Sequence, residues 1–220
     1  MSVSLDKHVA VRVVIHLFSL ACFTTLLAAC GSDSAETYFE RGVDYYHQND
    51  YTQAIEQLDQ ALAREPGHAE AHYYRGLSYY FQDDLDRAIE DFSQAFEEHQ
   101  SDVAIYASRG LAYYKKGDNE KALEDFSAAL SLEPNLTEAL LYRGEIYYYS
   151  GDYDKAIPDL TRVIELTPDD AEAYMYRASA YAGTGKKQEA VQDYMKVIKL
   201  AKGADRVKEA QELLKDLQGE

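Results

Sequence analysis

The sequence predicts an all-α protein, an α-solenoid of five helical hairpins closed by one further helix. Three observations carry this reading. From Ala35 onward the same residue types return every 34 residues without an insertion. Within each period the apolar positions fall at helical spacing in two runs parted by a turn. With 12 Gly, only 4 Pro, 46% hydrophobic and 28% charged residues, the composition suits an ordered, helix-rich chain.

Residues 1–29 precede the array and read as an export signal. Lys7 and Arg12 lie before an apolar run, Val13 to Ala29, that ends in small residues. His16, Ser19, Thr24 and Thr25 interrupt the run, which is too short for a comfortable membrane span. It closes on Leu27-Ala28-Ala29-Cys30, with Gly31 and Ser32 after it. These residues resemble the lipobox of bacterial lipoproteins. The resemblance implies cleavage before Cys30, diacylglycerol on the Cys30 sulfur and acylation of the new amino group. Multiple chains at about 0.8 kcal/mol per buried CH₂ anchor a protein stably, which one chain does not. Cysteine usage agrees, because Cys22 lies in the segment to be removed and Cys30 alone cannot form an internal disulfide. In such families an Asp directly after the cysteine favours the inner membrane. Gly31 stands there instead, implying the outer membrane, at its periplasmic face, in a cell with two membranes, and otherwise the outer leaflet of the plasma membrane. Residues 30–34 form a linker of roughly 15 Å that holds the array close to its anchor.

The units run 35–68, 69–102, 103–136, 137–170 and 171–204. Gly recurs at Gly42, Gly76, Gly110 and Gly144 and becomes Ala178; Ala recurs at Ala54, Ala88, Ala122, Ala156 and Ala190. Such small residues belong where two helices cross closely. Tyr45, Tyr79, Tyr113, Tyr147 and Tyr181 share one slot, and Leu58, Phe92, Phe126, Leu160 and Tyr194 another. Pro66, Pro134 and Pro168 end three units. The turn Lys116-Gly117-Asp118 places Gly to end one helix and Asp to cap the next, and Asp50, Asp84 and Asp152 hold the same capping position. This pattern resembles the tetratricopeptide repeat over residues 35–204, which implies a right-handed α-solenoid. The fifth unit departs from it, with Lys186 at the cap and Lys202 where Pro would stand. In residues 205–220, Val207, Ala210, Leu214 and Leu217 form one stripe, the mark of a polar-backed capping helix. Pro158 falls inside the second helix of unit four, where a slight kink is expected.

Arg41, Arg75, Arg109, Arg143 and Arg177 precede the small slot, and Asp91, Asp125, Asp159 and Asp193 follow sixteen residues after the last four. Structural Arg–Asp pairing, within a hairpin or between neighbours, is favoured over an anion-binding rail. Gln57 replaces Asp in the first unit, so Arg41 is expected to be free.

The resemblance implies that ligands lie in a concave groove lined by the first helix of each hairpin, mainly at unit positions 2, 5, 9, 12 and 13, with position 6 at the edge. Those slots hold Phe39, Tyr46, Tyr73, Tyr74, Tyr80, Phe81, Tyr114, Tyr142, Tyr148, Tyr149, Met175 and Tyr176. Tyrosines offer flat apolar faces and hydroxyls at low entropic cost. Such a lining suits a basic or proline-rich peptide, an amphipathic partner helix or a glycan strand, although position-12 aromatics also pack on neighbouring units. Repeats that clamp the C-terminal carboxylate of chaperones use Lys, Asn and Arg where this chain has Phe39, Val43, Tyr74, Ala104 and Ser108, which excludes that mode.

The chemistry of an enzyme is missing. A net charge of −17 gives no footprint for nucleic acid. His68 and His72 have metal-ligand spacing, but His72 fills a packing slot and His68 a hairpin junction, so no metal or cofactor is expected. Gly183-Thr184-Gly185-Lys186-Lys187 lacks the upstream Gly, the following Ser or Thr and the preceding strand of a phosphate loop. The expected function is a non-enzymatic, membrane-anchored adaptor for protein or peptide partners in envelope assembly. A cell-wall glycan-binding module or a self-assembling envelope scaffold are the alternatives.

Overall fold

The computed structural model describes residues 33–98 and 102–219, so the export signal and Cys30 lie outside the described residues. Ten helices pair as hairpins: α1 (Ala35–His47) with α2 (Tyr51–Arg64), α3 (Ala69–Phe81) with α4 (Leu85–Glu98), α5 (Val103–Lys116) with α6 (Asn119–Leu132), α7 (Thr137–Tyr149) with α8 (Tyr153–Leu166), and α9 (Ala171–Gly183) with α10 (Lys187–Leu200). The last helix, α11 (Ala204–Gln218), packs on α10. No strand occurs among the described residues. Each second helix also packs on the first helix of the next hairpin. First helices touch across hairpins too, α1 with α3, α3 with α5 and α7 with α9, while second helices make no comparable contact. The first helices therefore form the inner layer of the stack.

One backbone conformation makes every hairpin turn. Asn49, Asp83, Gly117, Gly151 and Gly185 recur one period apart, all left-handed, with φ between 62° and 88°. Only glycine adopts that conformation freely, and Asn and Asp are its best substitutes. The next residue then caps the second helix. Asp50, Asp84 and Asp118 accept from the backbone N–H of Gln53, Arg87 and Lys121. Asp152 occupies the same N-cap position, but its carboxylate accepts from Lys155 Nζ at 2.8 Å and makes no side-chain cap bond. Lys186 caps nothing.

The small slot lies where the hairpin's helices cross. A Cβ added to Gly42, Gly76, Gly110 or Gly144 would meet Leu58, Phe92, Phe126 or Leu160 at 2.6–2.9 Å. Those four large residues are completely buried, and Tyr194 takes the slot in unit five with its hydroxyl 3.0 Å from Ser179 Oγ. Helix α8 runs through Pro158 without interruption.

The Arg–Asp ladder resolves into a bidentate fork inside each of the last four hairpins. Arg109 donates through Nε and Nη2 to the two oxygens of Asp125, both at 2.8 Å, and Arg75–Asp91, Arg143–Asp159 and Arg177–Asp193 repeat the arrangement. The remaining Nη1 reaches the second helix of the preceding hairpin, at Asp59, Ser93, Ser127 or Thr161. One side chain thus joins three helices. The expectation for Arg41 is corrected: its Nη1 is paired with Asp33, just ahead of α1, at 2.6 Å, in the role that Asp59 plays for Arg75 from the preceding hairpin.

At the far end, Ala210 of α11 is buried, and Leu213, Leu214 and Leu217 pack on the core of the last three units. Arg206 reaches Glu172 of α9 at 3.3 Å.

Candidate functional site

The first helices carry the expected aromatics, and their packing divides them. Toward the N-terminus, Phe39 tilts over His68 with centroids 4.6 Å apart and meets Tyr74 edge-on at 6.0 Å. Tyr46 packs edge-on against Tyr74 at 5.4 Å, and burial pushes its hydroxyl pKa far above the usual value. Phe81 stacks flat on Tyr51 of the preceding second helix, at 5.0 Å and 11°. Tyr73 lies between hairpins, its ring 5.9 Å from Phe92 and its hydroxyl 3.3 Å from Ser108 Oγ. Burial raises the Tyr73 pKa to about 12.

Toward the C-terminus, Tyr114 packs against Tyr142 at 5.0 Å, and Tyr148 contacts both Tyr149 and Tyr176, at 5.1 and 5.5 Å. Tyr149 keeps 67% of its surface exposed. The reason lies one unit back: Asn119 stands where Tyr51 covers Phe81, so the preceding second helix offers no ring to cover it. Met175, expected on this face, is instead buried at 7% exposure. Tyr80 bridges the two groups, edge-on to Phe81 at 5.6 Å and with the Lys115 ammonium 5.0 Å above its ring.

Acidic residues intervene among these rings, and residue-by-residue reading of the aromatics passes over them. Glu145 is buried and accepts hydrogen bonds from the hydroxyls of Tyr176 and Tyr114. Burial raises its pKa above the usual value, and the two hydroxyls oppose that shift. Burial likewise raises the pKa of Glu138. The hydroxyl of Tyr142 is pushed up to about 12, by burial first and by the charge of Glu138 after it. The signal was available: Glu145 is the one carboxylate in a slot that elsewhere holds Val43, Leu77, Leu111 and Ser179.

The histidines are occupied structurally. His68 Nδ1 accepts from the backbone of Ala71, and both ring nitrogens of His72 are engaged, with Asp91 and with the carbonyl of Pro66, each at 2.9 Å. Among the described residues no group of three His, Cys, Asp or Glu could hold a metal. Nor is any helix there long and apolar enough to cross a membrane.

A stack of helical hairpins with an aromatic, acid-dotted inner layer defines a class of binding solenoid. The tetratricopeptide repeat pattern matches residues 39–102, 103–136 and 141–206, and the chain belongs to that family. No curated protein matches the sequence. The solved structure of MamA superposes with a TM-score of 0.70 at 24% identity, over 75% of this chain and 90% of that one. YrrB, described as a tetratricopeptide repeat protein with an unusual peptide-binding site, gives 0.74 at 22%, over 81% and 92%. A tetratricopeptide repeat protein from Parabacteroides merdae gives 0.72 at 24%, over 84% and 73%. At these identities the likeness shows the fold.

Proposed function

We propose that this chain is a non-enzymatic adaptor, lipid-anchored at Cys30 in a bacterial envelope, that holds a protein or peptide partner against the inner layer of its first helices. The observation that carries the reading is the half-exposed run of tyrosines there, culminating in Tyr149. Most of these rings pack one side against the core, whereas Tyr149 is left 67% exposed, an aromatic surface open to a partner. Large aromatic faces ordered in advance by their neighbours bind at low entropic cost. The peptide-binding site ascribed to YrrB supports such a use of the fold.

Affinity capture from an envelope extract tests the reading, with the intact chain beside Tyr80→Ala and Tyr149→Ala. A partner retained by the intact chain and lost from the variants supports it. Equal capture by all three removes this face from the argument, and retention on purified peptidoglycan with no protein partner favours a glycan module. The anchor has its own test: Cys30→Ser abolishes incorporation of labelled palmitate and releases the protein from the membrane pellet. Labelling that persists in Cys30→Ser would overturn the lipoprotein assignment.

A further inference from the structure

Two second helices open with a ring that lies against the end of the next hairpin's first helix. Tyr51, at the start of α2, stacks on Phe81 with centroids 5.0 Å apart and planes 11° from parallel. Tyr153, at the start of α8, lies so close to Gly183 that an added Cβ would meet its ring at 2.3 Å. Where α6 packs on α7, the same two slots hold Asn119 and Tyr149. A short amide cannot cover a phenol ring. Tyr149 keeps 67% of its surface exposed, and no other large apolar side chain among the described residues is as open.

The open ring is braced from its other sides. Tyr148 tilts against it at 5.1 Å and 57°, and Tyr176 meets it edge-on at 6.0 Å and 73°. Tyr176 in turn donates its hydroxyl to the buried Glu145. A ring held in this way loses little freedom when a ligand covers it. We propose that a basic, extended segment of the partner protein docks at the joint of α6 and α7 and lays an aromatic side chain flat on Tyr149, completing the stack that Tyr51 makes on Phe81. The fold itself supplies the template for the ring, and offset stacking of two flat faces adds to what their buried area contributes. Charge selects the rest of the segment. The chain carries a net charge of −17, and Glu120 follows Asn119 on the exposed start of α6. This inference rests on the adaptor reading and specifies the chemistry of the partner.

The test uses the full chain and three fluorescein-labelled dodecapeptides built from Lys, Gly and Ser. The first has one central Tyr, the second has Leu in its place, and the third keeps the Tyr but has Glu for every Lys. Fluorescence anisotropy should show the first binding about tenfold more tightly than the second, and more than about tenfold more tightly than the third. Asn119→Tyr supplies the missing ring from the chain itself and should abolish the preference for Tyr over Leu. Because Tyr51 shows that the slot accepts a ring, this variant should unfold at equal or higher urea than the parent, which separates a filled site from a damaged fold. Tyr149→Leu, at an exposed position, should abolish the same preference. Equal binding of the Tyr and Leu peptides, equal binding of the Lys and Glu peptides, a preference for Tyr that survives in either variant, an Asn119→Tyr chain that unfolds at lower urea, or no binding of any peptide overturns the proposal. So does a soluble peptidoglycan fragment that binds where the peptides do not and is blocked by Asn119→Tyr, since the slot then takes a sugar ring. If the Tyr and Leu peptides bind equally and Tyr149→Ala weakens both, the adaptor reading stands and the stacking site falls.

Discussion

At Gly110 an added Cβ would come within 2.9 Å of the Phe126 ring, whereas at Gly117 nothing lies within 4 Å and the backbone alone, at φ 88°, resists a side chain. The two glycines serve different ends, close approach and turn geometry. Gly110→Val should cost about 1–3 kcal/mol by overpacking, and Gly117→Ala about 1–2 kcal/mol by strain. Asn49 shares the conformation of Gly117, so Asn49→Gly should raise stability by up to about 1 kcal/mol. Urea midpoints check all three, and a destabilised Asn49→Gly would contradict the turn argument. His72 makes a second prediction. Burial pulls its pKa down, but the bonds to Asp91 and Pro66 outweigh burial and the opposing Arg75, holding it above the usual 6.5. Its stabilising contribution is therefore complete below the unfolded value and lost as pH rises through the raised folded one. His72→Gln should destabilise the protein more at about pH 5.5 than at about pH 9. A penalty that grows with pH would show that the protonated form is not the one favoured.

Between helices, the Arg forks do what an apolar contact does less selectively. Arg109 binds Asp125 on its own hairpin and Ser93 on the preceding one, so the same side chain sets the crossing within a unit and the register between units. Removing one partner strands a charge, since Asp125 is 7% exposed and Arg109 15%. Arg109→Met should cost about 3–5 kcal/mol, while Arg109→Met with Asp125→Leu should recover most of the loss. Chemical denaturation of the two variants decides between this and a surface pair, for which both would lie within about 1 kcal/mol of the parent. Arg41, half exposed on Asp33, is the internal comparison and should tolerate Ala at little cost.

Across the whole molecule, stability is a sum over stacked units, and each end must be closed. Helix α11 covers the last interface with Leu213, Leu214 and Leu217. Truncation after Lys202 should cost on the order of 3 kcal/mol and, by uncovering the packing face beside Tyr194 and Val197, induce self-association. Sedimentation across a wide concentration range reads this out; a truncated chain that stays monomeric and equally stable would make α11 dispensable. The open flank of α10, where Met195 is 60% exposed, lacks the Arg that a further unit would bring to that slot.

Much of this architecture was legible along the chain. A 34-residue period fixes which slots recur, so the close crossing at Gly76, the pairing of the Arg and Asp ladders and the turn at Gly117 follow from spacing, because helical hairpins build mainly local contacts, while the structure decided that Arg75 forks onto Asp91 of its own hairpin. Other features depended on side chains brought together from different units. Tyr51 covers Phe81 of the next unit, the Tyr73 hydroxyl reaches Ser108 of the next unit, and Tyr149, with Asn119 one unit back, is left open, while Asp33 ahead of the array reaches Arg41. Periodicity assigns a residue to a face, but exposure on that face depends on the size of the neighbour one turn or one unit away.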